Sequence, residues 1–480
     1  MNHSTRLFGL VIVGGGPAGV APLLAAHRMG QLDALLASGV ALVEQSDHIG
    51  SGSIGGYAIN SDSSGRTFVD CLLGNDETEL THLEQHSLTQ ELAAAGDGAV
   101  SLRDAGRFLG LVGEAICRMV LEHPASAVLT NHRAIATHRV QGGWCVQVRD
   151  LATGEERTLA SRNVVIATGA HQPPDRLAAE QVGGSRLVDR CADRLLQSGD
   201  VLATGGLERV ANLLAGKTRP RVAVIGGSTS AAAVAHALLH RLPQVRFGHA
   251  GITLLHRREL RIYYPDRASA LAEGYAEWTE DDVCPISGRV FRFAGFRLDS
   301  RELVMQARGI GGRPPEPRLR LHHVRSDDAE VTGIIDQADL VIAALGYRPR
   351  ALPVLGRDGA PIILLAQTGP QMAMVDGQCR ILDADSVPIP GLFGIGLAAG
   401  FVPRGALGGE ASFRGQANGL WLWQHDVGSL IVNAISGSNV APKDEMLPRW
   451  DPANVNMPAH GVVQNPPFLG YTRRAETAGL

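Results

Sequence analysis

Short runs of consecutive apolar, mostly β-branched residues punctuate the chain, and each closes on glycine or another small residue. They are Leu10-Val11-Ile12-Val13, Val40-Ala41-Leu42-Val43, Val164-Val165-Ile166, Val222-Ala223-Val224-Ile225, Ile252-Thr253-Leu254-Leu255 and Leu340-Val341-Ile342-Ala343. Almost none shows the polar alternation of a half-solvated strand, so they predict strands buried on both faces, as in a parallel sheet covered by helices. After the first and the fourth run the apolar spacing lengthens to a helical period: Val20 to Met29 and Ala232 to about Leu242 read as helices. Strand, small-residue turn and helix, in that order, predict an α/β fold built of βα units. A third helical pattern covers Asp104 to Leu121 inside the region 72–125, which reads as a candidate substrate lid. A fourth is expected over Ala411 to Ile435.

Composition narrows the function classes. With 480 residues the chain is too long for one core and suits two or three domains. Glycine is in excess, 58 residues where a share near 7% is usual, without repeat or low-complexity tract. Glycine-rich turns beside ligands account for that excess. The net charge of −4 and the lack of a basic block give no support to a nucleic-acid or anionic-membrane partner. Leu7 to Ala26 is apolar enough to pass for a signal peptide, but Gly14-Gly15-Gly16-Pro17 would break a membrane helix, and a cytoplasmic enzyme is the expectation. The six cysteines are too far apart for a CxxC pair or a zinc knuckle. His82 and His86 stand four apart without the glutamate of HExxH, so no metal is expected.

Two turns carry the chemistry. In Gly14-Gly15-Gly16-Pro17-Ala18-Gly19, three glycines occupy GxGxxG: one for the tight turn, Gly16 for backbone approach to a diphosphate, Gly19 for packing of helix on strand. The helix that starts there offers its first-turn N–H groups and its positive dipole end to the phosphates, with Pro17 and Ala18 in that turn. Pro22 is a departure, since proline is comfortable only in the first helical turn. Glu44 ends the next strand, where an acid can bind a ribose hydroxyl pair, and Gln45 is an adjoining candidate. Glu44 lies 25 positions after Gly19 where about 20 is usual; an extra turn over Gln31 to Ser38 would absorb the difference. The second turn, Gly226-Gly227-Ser228-Thr229-Ser230-Ala231, keeps one glycine and puts the hydroxyls of Ser228 and Ser230 within reach of phosphate. The following strand ends in His256-Arg257-Arg258 where an acid would select NAD. Cations there suit a 2′-phosphate and favour NADPH.

Further elements repeat the pattern: Ala167-Thr168-Gly169, then Asp339 to Ala344 with Leu345-Gly346-Tyr347, and Gly391 to Gly396 followed by Gly408-Gly409-Glu410. That order resembles the flavoproteins with two dinucleotide-binding domains. Within them it most resembles the class B flavin monooxygenases, the N-hydroxylating ornithine/lysine branch in particular. The resemblance spans roughly residues 8–435 and is specific at the nucleotide motifs. Leu345 replaces the threonine of that branch, and Leu397 stands where disulfide reductases place an aspartate.

The resemblance implies two Rossmann-like domains, the NADP domain inserted into the FAD domain: FAD-binding 1–178, NAD(P)-binding 179–345, FAD-binding again 346–435, and a tail 436–480. It implies FAD and NADPH as cofactors, and O2 and a small amine or amino-acid-like molecule as substrates oxidised through a flavin hydroperoxide. Thr168, Gly169, Gly346, Gly396 and Gly408 are then cofactor contacts, with the backbone near Gly408 at the start of a helix aimed at the flavin. Asn60, in Gly55 to Ser61, is the candidate catalytic amide; a polar turn without chemistry is the alternative there. Trp421 and Trp423 read as packing. The tail, rich in Pro, wraps the surface, packs on a neighbouring subunit of a homo-oligomer, or stays partly disordered. Two rival functions stay open: a flavin reductase or dehydrogenase without oxygenation, and a non-catalytic scaffold or sensor.

Overall fold

A computed structural model describes residues 6–72, 79–325, 328–350, 352–369 and 372–438. The chain forms two parallel-cored sheets, each wrapped by helices. In the first, the strand Leu7–Val13 lies between Val40–Val43 and Glu156–Ile166, parallel to both. Ala127–Leu129 extends one edge beyond Val40–Val43, again parallel. On the other side Glu156–Ile166 changes partner along its length. Its first half pairs antiparallel with Gly143–Asp150, and its end pairs parallel with Leu392, Phe393 and Gly394 of the strand Pro388–Gly394. The sheet is therefore assembled from both ends of the chain. The second sheet is all parallel, in the order Leu195–Gln197, Leu340–Ala343, Val222–Ile225, Ile252–His256, Leu319–His323. Its strands fall inside the sequence of the first sheet, which is the inserted Rossmann-like arrangement expected.

The apolar runs behave as full burial dictates. Leu10, Val11 and Ile12 in one sheet, and Val222 to Val224 in the other, are sealed from solvent. The predicted extra turn before Glu44 is the helix Leu32–Ala37. Pro22 sits inside the helix Pro17–Arg28, whose Ala18 to Ala26 face is buried throughout. Two expectations fail. Residues 411–419 are not helical: helical structure resumes only at Leu420, with a π turn over Trp423–Val427 before the helix Gly428–Ser438. Gly419, at φ 166° and ψ 145°, is extended, and the aromatic and glycine content of 411–419 supplies no helical stripe. The helix Leu102–Glu122 is core rather than lid. Phe108, Leu109, Val112, Ile116 and Val120 form its buried stripe, and Ser101 caps it by accepting from Asp104 N at 3.0 Å. Of the predicted tail 436–480, residues 436–438 close the helix Gly428–Ser438, and those from 439 onward lie outside the described residues.

That helix touches the loop following Glu44 directly. A Cβ on Gly106 would stand 2.5 Å from Gly55 Cα, and one on Gly113 would stand 2.1 Å from Ile49 O. Backbone here rests on backbone, so side chains have no room to give. Gly106→Val is expected to destabilise the holoprotein by about 1–3 kcal/mol through overpacking. A chemical-denaturation midpoint equal to that of the unmodified protein would show that the contact yields freely.

Candidate functional site

The first glycine turn is closed by sterics on two sides. Gly14 has φ +104°, and a Cβ there would meet Ala167 O at 2.3 Å; one on Gly19 would meet Gly14 O at 1.8 Å. Helix Pro17–Arg28 can seat on the strand only because these side chains are missing. Its N-cap Gly16 supplies no side-chain acceptor, which leaves the first-turn amides directed at whatever anion occupies the turn. Gly52 and Gly396 converge on the same point. A Cβ on Gly16 would lie 3.3 Å from Gly52 Cα, and one on Gly396 would lie 3.1 Å from Ala18 Cβ. Glu44 closes the cradle: its carboxylate accepts from Gly15 N at 2.6 Å, Ser46 N at 2.8 Å and Ser46 Oγ at 2.9 Å. Gln45, beside it, is exposed. A backbone-lined cradle at a helix N-terminus, with a fixed carboxylate at its edge, fits the diphosphate and ribose of FAD.

The second turn repeats the design in a looser form. Gly226 has φ +142°, and a Cβ on it would meet Ala344 O at 2.4 Å. Ser228 caps the helix Thr229–Arg241 without a side-chain hydrogen bond, so its hydroxyl is uncommitted, and Ser228, Thr229 and Ser230 face a cavity together with Arg257 and Arg258. Arg257 pairs with Glu180 at 3.0 Å and donates to Gln181 O at 2.6 Å, whereas Arg258 has no partner among the described residues. His256 is buried, and desolvation holds its ring below the ordinary histidine range. Arg258 is therefore the free cation of the three, and the set fits NADPH.

The second glycine turn lines a cavity of about 2290 Å³, with Gly346 and Tyr347 on its wall; the cavity reaches toward the first turn at Leu397 and Ala398, which follow Gly396. A small-ligand pocket spans about 300–1,000 Å³, so this one suits a dinucleotide and a substrate together. Thr168 and Gly169 are stitched to the returning chain: Thr168 Oγ1 donates to Arg350 O, and Arg350 N donates to Gly169 O at 2.9 Å. Gly408 does not open a helix. It packs against Arg292 and Cys284, so the expected dipole toward the flavin is not there. His82 lies in a 3-10 turn and His86 caps the next helix through Nδ1, away from any shared face. Trp421 stacks on His425 and donates to Asp70, and both Trp421 and Trp423 reach the cavity wall.

Asn60 is tied up elsewhere. Its amide donates to Asp299 at 2.8 Å and accepts from Arg241 Nη2 at 2.9 Å, bonds that lock the two domains. The cavity wall is built instead by the next residues, Ser61 to Ser64. Asp62 among them went unnoticed in sequence, because an Asn-Ser-Asp-Ser-Ser run signals only a turn. Each other described carboxylate on the wall has a basic side chain as partner, an arginine or a histidine: Asp70 with His425, Asp97 with Arg66, Glu180 with Arg257, Glu259 with His323, Glu273 with Arg301. Asp62 has no ion pair within 4 Å. Desolvation raises its carboxyl to about 6, against the opposing pull of Arg297 and a Thr229 hydrogen bond.

The model of the pyridine nucleotide-disulphide oxidoreductase family matches residues 8–278. The chain is 35% identical over 441 residues, 89% of its length and 97% of the relative's, to the CMP-5′-(3-aminopropyl)phosphonate hydroxylase of Streptomyces rubellomurinus. Among solved structures it is similar to the FAD-bound cadaverine monooxygenase of the desferrioxamine pathway of Erwinia amylovora, with TM-score 0.53, 12% identity, and 92% and 97% of the two chains covered. It is also similar to the ornithine N-hydroxylase of Kutzneria sp. 744, with TM-score 0.49, 17% identity, and 90% and 100% covered. No described helix is long and apolar enough to cross a membrane.

The state of Asp62 has a measurable consequence. Between its unfolded value of 3.8 and about 6, the native protein holds a proton the unfolded chain has lost, so stability falls as pH rises through that window. Above it the penalty is complete. Asp62→Asn is therefore expected to stabilise the protein by about 2 kcal/mol at pH 8, after a discount for partial solvent contact, and by almost nothing near pH 4. Denaturant unfolding at both pH values checks this; a gain that does not depend on pH would refute it.

Proposed function

We propose, for a chain that belongs to the pyridine nucleotide-disulphide oxidoreductase family, that it is an FAD-dependent, NADPH-consuming monooxygenase acting on a primary amine. The amine nitrogen receives one oxygen atom of O2, and the other leaves as water with two electrons from NADPH. The observation that carries this reading is a cavity that runs from the second glycine turn to Leu397 and Ala398, beside Gly396, which packs against Ala18 of the first turn; it brings an electron donor, a flavin and a substrate within one space. The hydroxylase at 35% identity supports oxygenation over simple electron transfer. It also suggests the substrate class, an amine carried on a phosphonate linked to a nucleotide. We take 1–178 with 346–435 as the FAD-binding part, 179–345 as the NADP-binding part, and a reducing, cytoplasmic setting consistent with free cysteines.

FAD, when bound, supplies the oxygen chemistry and NADPH the electrons; the chain's own residues bind, orient and exclude water. Gly14, Gly16 and Gly19 would hold the FAD diphosphate by backbone, and Glu44 its ribose. Ser228 and Ser230 would hold the NADPH diphosphate, and Arg258 its 2′-phosphate. A protonated amine has no lone pair to share, so the substrate must lose a proton in the cavity. Asp62, the wall carboxylate without an ion pair, is suited to dock the ammonium and take that proton on a carboxylate oxygen. Asn60 acts as a positioning residue, fixing Ser61 to Ser64 through Asp299 and Arg241.

The decisive measurement is the mass of the product formed with NADPH and 18O2 across a panel of primary amines. One labelled oxygen per product is expected; NADPH oxidation giving only hydrogen peroxide would favour the reductase reading. A second test concerns the nicotinamide cofactor. Arg257→Ala with Arg258→Ala is expected to raise KM for NADPH roughly 10- to 100-fold, the worth of charge-assisted hydrogen bonds to a phosphate, and to change KM for NADH little. Equal losses for both would remove the 2′-phosphate assignment.

A further inference from the structure

A Rossmann strand and its following helix are usually joined by a loop of about 2–6 residues. Here the strand Ile252–His256 reaches the helix Leu298–Arg308 only after the long excursion 257–297. That segment delivers an unusual set of arginines to the cavity: Arg261, Arg289, Arg292 and Arg297, with Arg301 just beyond. Four of them are set against aromatic rings: Arg261 over Phe291 at 5.0 Å, Arg292 over Phe293 at 4.7 Å, Arg297 over Tyr263 at 4.0 Å, and Arg301 over Tyr264 at 4.6 Å. Stacking fixes the plane of a guanidinium and leaves its N–H edge pointing outward, the arrangement that meets phosphate with two parallel hydrogen bonds.

Charge balance separates these arginines. Arg301 is neutralised by Glu273 at 2.5 Å, and Arg261 lies 3.9 Å from Asp282. Arg289, Arg292 and Arg297 have no carboxylate within 4 Å among the described residues. Arg292 donates to Leu407 O at 2.8 Å and more loosely to Cys284 Sγ at 3.6 Å. Arg297 donates to Arg292 O. Desolvation holds Arg297 below its ordinary value; Tyr263 and Asp62 oppose that shift, and the charges of Arg289 and Arg292 add to it. Arg289 and Arg292 are thus close enough to repel Arg297. Asp62, raised to about 6 by desolvation, is ionised above that pH and offsets Arg297 alone, so a net positive charge remains on the wall.

The Cys284 thiol, lowered to about 6 against desolvation by hydrogen bonds from Ser287, Gly409 N and Arg292, partly balances Arg292; the charge left over on the cavity wall is stabilised by an anion among the guanidiniums. The diphosphates of both cofactors already have glycine turns, and the 2′-phosphate has Arg258. We propose that Arg289, Arg292 and Arg297 form a separate subsite that binds the phosphate or phosphonate carried by the substrate itself. Asp62 beyond Arg297 then takes the ammonium end, so the cavity reads a molecule with an amine at one end and a phospho group at the other. This assignment rests on the amine-monooxygenase reading for its substrate, though the binding of the anion does not depend on turnover.

The test uses the FAD-loaded enzyme and three probes: CMP-5′-(3-aminopropyl)phosphonate, CMP alone, and butylamine, which has the amine without the anion. Arg297→Gln and Arg292→Gln are each expected to weaken binding of the two phospho probes roughly 10- to 100-fold by calorimetry. KM for NADPH should stay within about threefold, and turnover of butylamine should not fall, since it carries no anion for these side chains to hold. If Arg297→Gln does not retain FAD, the exposed Arg289→Gln carries the same comparison. Weakened NADPH with unchanged CMP binding would give the arginines to the cofactor and overturn the proposal; so would equal losses for butylamine and the phospho probes. If the unmodified enzyme oxidises no amine at all, the function proposed above fails. CMP binding that drops in Arg297→Gln would then still support the anion subsite, and binding that does not drop would overturn it.

Discussion

The structure turns on one steric fact: at two strand ends that lead into helices the backbone leaves no room for a methyl group. The Cβ that Gly19 lacks would stand 1.8 Å from Gly14 O, and the one Gly226 lacks would stand 2.4 Å from Ala344 O. These distances are inside any van der Waals contact, so the residue choice is forced by the fold before any ligand enters. The same closeness aims a helix N-terminus at the strand end, where amides without partners and a positive dipole invite a diphosphate. Binding capacity is therefore a by-product of packing. The chain spends that by-product twice, and the second opening faces the large cavity.

This is why so much of the architecture was legible from sequence. A strand buried on both faces has to be apolar throughout, and a glycine turn has to be glycine, so Leu10 to Val13 with Gly14 to Gly19 could be read without coordinates. The extra turn before Glu44 followed from counting residues, and the helix Leu32–Ala37 supplies it. Reading failed where the physical cause was non-local. Residues 411–419 were expected to be helical, yet their backbone is spent on tertiary bonds: Ser412 N donates to Asp281 O at 2.8 Å, and Ala417 N to Phe401 O at 2.9 Å. The helix Leu102–Glu122 looked like a lid because an amphipathic stripe does not say which surface it will cover.

Side-chain roles were harder to read than backbone roles, for a related reason. Asn60 is a polar residue in a glycine-rich stretch, and composition alone invites a catalytic reading. Its two hydrogen bonds reach Asp299 and Arg241, more than 180 positions away, partners no local pattern announces. Asp62, two residues on, carries the more unusual environment, and only the ion-pair inventory of the surrounding wall reveals it. The arginines of 257–297 are spread through a segment with no periodic pattern, so their convergence is a property of the folded chain.

Those arginines also bear on how specificity arises in a shared fold. Both glycine turns are generic; they hold any dinucleotide of the right shape and say nothing about what is oxidised. Specificity has to be added where the two cofactor sites leave a wall unoccupied, and the insertion occupies that wall. Stacking on Tyr263 and Phe293 lets cations sit there in a defined geometry without carboxylates that would neutralise them. The cost is a desolvated guanidinium and the repulsion of its cationic neighbours, which the protein tolerates because the opposing charge arrives with the substrate. A site built this way is poorest at binding a bare amine, since that ligand would add a positive charge to an uncompensated positive field. Selection against simple amines and recruitment of phospho-amines are then one electrostatic property.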